Sequence, residues 1–540
     1  MSRIFPGRST VARLCAVMAA VLLVLAPASL GQAATGRQAS GPPSRLAHTG
    51  DGLVRGTDEA GTVAFRGIPF ARPPVGTLRW QPPQPPAPWP GVRDASAYGQ
   101  ACAQGPTELT PSTGNEDCLS LNVWVPPRPP GAPGRPMPVM VWLHGGGFVA
   151  GAGSDDSGAA LARTGHVIVV SVNYRLGPLG FLSLPGDPAE GTTANLGLLD
   201  QTAALHWVQD NIAAFGGNPG NVTLFGESAG AESVCADLVS PLAQGLFQKA
   251  VMESGPCSRA FPTQAAMEQR SEKFASAVGC PQGPSQMACL RSRTTSELLA
   301  GAAESLNSLE NGANAWAPSV AGPVLPGQPA AGLAAGTFQR VPVLEGTNSD
   351  EGTFFTALSL DLKGVTLTAA QYTGVVTELF GNRAAAVLSE YPAGGYPDPE
   401  AALAAIETDS SFAASTVATS DLLAKYTTVF QYQFADADAP SVIPAVARPL
   451  GATHESEIQY LFGDPATAFS PGQARLSRRM QNCWSTFART GSPGNCTGGA
   501  WPEFEPDSAG VENFTPGDPG SVPFLTQHHV QFWTDLLSGS

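Results

Sequence analysis

Hydrophobic positions along this chain fall into short unbroken runs separated by longer stretches of mixed pattern. Residues 138–143 read PVMVWL, 167–172 VIVVSV and 222–225 VTLF; 250–252, 341–344 and 429–434 are similar runs. Consecutive apolar residues over so few positions predict strands covered on both faces, the environment of a parallel sheet. Residues 199–215 and 229–242 carry helical patterns between them. Strands alternating with helices predict an α/β fold, with a mostly parallel central sheet and helices on both faces. In such a sheet the ligand site lies beyond the carboxyl ends of the strands.

The first 33 residues break this pattern. Arg3, Arg8 and Arg13 precede an almost wholly apolar stretch at 14–26, and small residues with a cleavage-type GQA at 31–33 follow. This is the layout of a secretory signal peptide. Its apolar run of about 13 residues is shorter than the roughly 20 needed to span a bilayer. Residues 34–48 are small and polar and read as a flexible leader, which leaves 49–540 as a single α/β domain. Proline crowds residues 69–92 and predicts an extended surface crossing. No later stretch is long and apolar enough for a membrane anchor.

Composition sharpens the picture. The chain has 540 residues, 43% hydrophobic and 14% charged, enough for a large core and against disorder. Loss of the three leading arginines takes the formal charge from −15 to near −18, a surface that repels phosphate backbones and excludes nucleic acid as a partner. Few of the basic residues are lysine, and with the richness in Ala, Gly and Pro this fits a GC-rich bacterial source. Oligomeric state is not legible. Cys15 departs with the signal, and eight cysteines remain, an even number suited to an oxidising compartment. Proximity pairs Cys102 with Cys118, Cys280 with Cys289 and Cys483 with Cys496. Cys235 is left to pair with Cys257 or to stay a buried thiol. No cysteines have zinc-ligand spacing with histidine.

The residues after the strands carry the chemistry. Gly226-Glu227-Ser228-Ala229-Gly230 follows VTLF and opens a helical stretch. This is the strand–turn–helix context of a nucleophile elbow, where glycines permit the sharp turn and the serine stands near the positive helix end. His144-Gly145-Gly146-Gly147-Phe148 follows PVMVWL. A glycine run at a strand end leaves N–H groups free, so Gly146, Gly147 and Ala229 are assigned as an oxyanion hole. The serine needs a base, and the chain order for this fold is Ser, acid, His. His454 sits in a small-residue turn, whereas His528 and His529, beside the C-terminal helical pattern, read as ordinary surface residues. The acid should follow the 341–344 run, where Asp350 and Glu351 both qualify.

With these motifs, the chain resembles the type-B carboxylesterase and cholinesterase family. The resemblance runs from Gly67-Ile68-Pro69-Phe70-Ala71 to Phe532-Trp533 and includes Glu116-Asp117-Cys118-Leu119-Ser120-Leu121-Asn122-Val123 and Asn173-Tyr174-Arg175-Leu176-Gly177. It implies an α/β-hydrolase fold and a Ser228–His454–Glu351 triad working through an acyl-enzyme, with no metal or organic cofactor. It implies Ser254 as a support for the acid, beside Glu227 in the elbow, and it carries over the Cys102–Cys118 and Cys280–Cys289 pairings. Two departures stand out. Glu455 follows the histidine where relatives often have glycine, and the 102–118 loop lacks the aromatic residue with which cholinesterases hold a quaternary ammonium. The substrate class expected is a short- to medium-chain soluble ester, with a long-chain lipase or a non-catalytic binding protein on the same fold as the rivals.

Overall fold

The computed structural model describes residues 43–106, 113–128, 134–185, 193–302, 316–463, 467–506, 510–517 and 519–538. The expected signal peptide and residues 34–42 of the expected leader lie outside them. The end of that leader is corrected. Its residues from Leu46 onward enter a strand, because Ala47 and Thr49 turn inward and are buried.

In chain order the strands are β1 (Leu46–Thr49), β2 (Gly52–Arg55), β3 (Thr57–Glu59), β4 (Thr62–Pro69), β5 (Val92–Asp94), β6 (Ser120–Val125), β7 (Met137–Leu143), β8 (Ile168–Val172), β9 (Gly217–Glu227), β10 (Lys249–Glu253), β11 (Val343–Asn348), β12 (Val429–Phe434), β13 (Val511–Phe514) and β14 (Gly520–Ser521). Strands β1, β2 and β5 make a small separate sheet. The rest form one large sheet in the order β14-β13-β12-β11-β10-β9-β7-β8-β6-β4-β3. Its middle, from β13 to β8, is parallel throughout. Both flanks turn antiparallel.

The expected runs map onto β7 to β12. All residues of β7, β8, β10, β11 and β12 are buried, as a sheet covered on both faces requires. The helix expected at 199–215 is Leu196–Asn211 followed by a 3-10 turn, Ile212–Phe215. The helix expected at 229–242 is Ala229–Val239, buried almost along its whole length. The proline-rich crossing contains only a 3-10 turn, Gly76–Leu78. One helical stretch is irregular. Between helices Pro399–Glu407 and Ala414–Leu423 the chain takes a π-helical turn, Thr408–Ala413.

Two buried layers flank the sheet. One packs Trp142 against Phe225 and Phe462, with ring centroids 4.8 and 4.9 Å apart. The other holds the helices on the opposite face. The carboxyl ends of β7, β9 and β11 meet at one edge, and the loops that follow them build the site.

Candidate active site

Ser228 stands between β9 and helix Ala229–Val239 with φ +52° and ψ −123°. A non-glycine residue reaches positive φ only under compulsion from its surroundings. Here the Ser228 N–H donates to Glu253 O (2.9 Å) and its carbonyl accepts from Glu232 N (2.9 Å), so both neighbours hold the bend. Gly230 shows why the elbow needs glycine. A Cβ there would lie 2.0 Å from Leu143 O at the end of β7.

The glycine run after β7 packs against this elbow. A Cβ on Gly145 would meet the Ser228 Cβ at 3.2 Å. Gly146 turns at φ +97°, where a Cβ would lie 2.3 Å from Ala150 O. Its carbonyl accepts from the N–H groups of Val149 and Ala150, both at 3.0 Å. Among the described residues, the N–H groups of Gly146, Gly147 and Ala229 donate to no protein acceptor. His144 anchors the run from beneath. It is buried, stacks on Tyr174 at 4.3 Å and receives the Tyr174 hydroxyl at its carbonyl (2.7 Å). Burial lowers its imidazole to about 4, so it stays neutral.

The structure separates the two acid candidates. Asp350 Oδ2 accepts from Ala452 N (3.0 Å) and Ser349 Oγ (2.8 Å), in line with the loop. Glu351 turns inward and is fully buried. Its Oε1 accepts from Thr347 Oγ1 (2.6 Å) and Asn348 N (2.7 Å), and its Oε2 lies 2.6 Å from His454 Nδ1. Burial alone would raise this carboxyl, but the His454 charge and hydrogen bond hold it below the usual carboxylate range. For His454 burial works the other way, and Glu351 outweighs it, so the imidazole is raised. Ser254, at φ +53°, adds to the field on Glu351, although its buried hydroxyl forms no hydrogen bond of ordinary geometry.

His454 Nε2 faces the elbow, 3.2 Å from Glu227 Oε1. Among the hydrogen bonds of the described residues, none joins the Ser228 hydroxyl to this nitrogen; catalytic hydrogen bonds commonly tighten only with substrate bound. Phe354, Phe355 and Phe412 surround the imidazole with ring centroids 5.1 to 5.6 Å away.

Of the carboxyls that ring His454 besides Glu351, the sequence singled out only Glu227 and Glu455. Glu227 and Glu457 are pushed well above the carboxylate range, by burial first and then by neighbouring acids. Glu455 is raised for the same reasons, and Glu407 is raised to about 7. Glu232 reaches Arg259 at 3.2 Å. Glu455 and Glu457 share the turn of His454, whereas Glu227, Glu232 and Glu407 come from separate segments, so no local spacing announces those three. Glu407 and Phe412 arrive through the π-helical turn, and Thr408 Oγ1 of that turn accepts from Gly352 N (2.9 Å).

His528 needs correction. It is buried, 3% exposed, with Nδ1 2.6 Å from Asp409 and Nε2 2.9 Å from Gln433 Oε1. Helix Val530–Ser538 docks its tip onto the π-helical turn, so the histidine faces inward. His529 is half-buried, 2.5 Å from Glu390. All four cysteine pairs, Cys102–Cys118, Cys235–Cys257, Cys280–Cys289 and Cys483–Cys496, lie at bonding distance. Cys235 is therefore not a free thiol.

Comparisons with known proteins agree with this architecture. A model of the carboxylesterase family matches residues 43–533. The chain is 39% identical to the para-nitrobenzyl esterase of Bacillus subtilis (strain 168), covering 82% of this chain and 89% of that one. It is 35% identical to the cocaine esterase of Homo sapiens, covering 97% of this chain and 96% of that one. A solved structure of PNB esterase superposes with a TM-score of 0.76 at 35% identity, covering 91% of this chain and 99% of that one.

Proposed function

This chain belongs to the carboxylesterase family and is an ester hydrolase, and on that footing we propose that it acts through an acyl-enzyme on Ser228, with His454 as base and Glu351 as its partner. The observation that carries the reading is His454 itself, held by Glu351 at Nδ1 with Nε2 turned towards the elbow. The Ser228 hydroxyl attacks the ester carbonyl as His454 takes its proton. The tetrahedral oxyanion is met by the Gly146, Gly147 and Ala229 N–H groups, and losing one such donor typically costs on the order of 3 kcal/mol in the barrier. Glu351 keeps Nδ1 protonated and stabilises the imidazolium. His454 returns the proton to the departing alcohol, then activates water to release the acid.

The substrates are short- to medium-chain soluble esters. Three phenylalanines crowd the imidazole, and the described part of the 102–118 loop is polar, with no aromatic face for a quaternary ammonium. Among the described residues no helix is long and apolar enough to cross a membrane. The leading 33 residues and the four cysteine pairs support export to an oxidising compartment.

Hydrolysis of p-nitrophenyl esters from acetate to palmitate, with Ser228→Ala alongside, tests this. Turnover should peak at the shorter chains and vanish in the variant. A peak at long chains above the aggregation point makes the protein a lipase. Undiminished turnover by Ser228→Ala removes the nucleophile, and none at any length by the native chain returns the binding-protein reading.

A further inference from the structure

Hydrolysis leaves one arrangement around His454 unused. Glu227 Oε1 lies 3.2 Å from His454 Nε2, yet it is buried and has no hydrogen-bond partner. The two atoms face each other off the line that a shared proton needs. Two ligands of a tetrahedral zinc ion adopt just such a separation, because bonds of about 2.0–2.1 Å place the donor atoms roughly 3.3 Å apart. Glu455 supplies a third donor. One ligand atom from each of Glu227, His454 and Glu455 lies within 4.8 Å of the others. Glu227 comes from the end of β9 and the other two from the turn before helix Ile458–Phe462, so two independent segments converge. Glu455 is the most exposed of the three and opens the group to solvent. It does so at φ +67°, a backbone conformation that costs a side-chain-bearing residue free energy.

We propose that Glu227, His454 and Glu455 form a zinc-class divalent cation site whose occupancy reversibly stops hydrolysis. One imidazole with two carboxylates suits zinc; magnesium and calcium favour all-oxygen sets. Three protein ligands leave a fourth position for water. The bound ion takes the Nε2 lone pair that must otherwise accept the Ser228 proton. Inhibition therefore rests on His454 acting as the base, while binding of the ion does not.

The test uses the full chain, stripped by a chelator and titrated with zinc chloride alone. Calorimetry on Ser228→Ala, which retains all three ligands, should find one zinc per chain. Adding Glu455→Gln should weaken it by at least about tenfold. Glu455→Gly, which relieves the positive φ, is the second variant should glutamine disturb the turn. p-Nitrophenyl acetate hydrolysis by the native enzyme should fall with the same zinc dependence, recover with chelator and ignore magnesium. Equal zinc affinity with and without the Glu455 carboxylate overturns the proposal. So does hydrolysis indifferent to zinc at concentrations that calorimetry shows to be saturating. Lack of turnover in the stripped native enzyme would strike at the Ser228 reading instead, and calorimetry would still decide the zinc site.

Discussion

Replacing Glu351 with glutamine keeps the shape of the side chain and removes its charge. The amide oxygen can still accept from Thr347 Oγ1 and Asn348 N, which hold Oε1 now. The amide nitrogen must then face His454 Nδ1, where Oε2 now sits at 2.6 Å. Two costs follow. The imidazolium formed during attack loses its counter-charge, and at an effective dielectric of about 20 and a charge separation of about 4 Å that is roughly 4 kcal/mol. At about 1.4 kcal/mol per power of ten, the rate falls about a thousandfold. An NH2 group opposite Nδ1 also favours the tautomer with its proton on Nε2, which cannot accept from serine, and this brings the loss towards 10⁴-fold, as in other triads. The pH profile should move as well. Glu351 raises His454 against burial, so its removal lowers the imidazole and shifts the acid limb of kcat/KM to lower pH. The assay is kcat and kcat/KM on p-nitrophenyl acetate from about pH 5 to about pH 9, with circular dichroism to verify folding. A folded Glu351→Gln enzyme within tenfold of wild type, or an acid limb moved upward, would refute the reasoning.

Gly146→Ala should lower kcat by about a hundredfold with a smaller change in KM, because the new Cβ, 2.3 Å from Ala150 O, forces the loop to turn an N–H away from the oxyanion; steady-state kinetics of a folded variant with native kcat would count against that loop as the oxyanion hole. Thermal stability should fall as pH rises from about 5 to about 8. Burial raises Asp237, Glu253 and Glu345 each to about 8, so the folded chain binds more protons than the unfolded one across this window, and the stability they confer is complete at low pH and lost as pH climbs through their folded values. His144, lowered to about 4, acts in the opposite sense up to its ordinary value near 6.5 but is one group against three, and Glu351, also lowered, is ionised in both states above about pH 5. Glu253→Gln should flatten the profile, since one carboxylate oxygen accepts from Trp484 Nε1 and the other has no partner; a melting temperature that rises over the same range contradicts the argument.

The sheet and the strand–turn–helix bend at Ser228 were legible because both rest on local rules. A strand buried on both faces writes itself as PVMVWL or VIVVSV, and a turn with 2.0 Å between a glycine Cβ position and Leu143 O cannot be built without glycine. Choice of the acid was not legible from spacing. Asp350 and Glu351 are adjacent, and only the start of helix Gly352–Ser359 decides which points inward. His528 was misread because the pattern of a terminal helix does not tell which buried acid awaits it. The carboxyls Glu232 and Glu407 gather around His454 only after three distant segments fold together, and Glu457, three residues after the histidine, is marked by nothing in its own segment as a buried acid.

The π-helical turn Thr408–Ala413 has a consequence for how this pocket can change over generations. A π turn amounts to one residue inserted into an α-helix, and each α-helical residue subtends about 100°. Deleting a single codon there would restore regular winding with the flanking helices kept in register, and would close the wider turn that carries Asp409 and Phe412. Phe412 would leave the imidazole, or Asp409 would leave His528, depending on which end gave way. The wall of the pocket is therefore tuned by length as well as by side chain. A family-wide library that varies only residue identity would miss the step that alters its shape most.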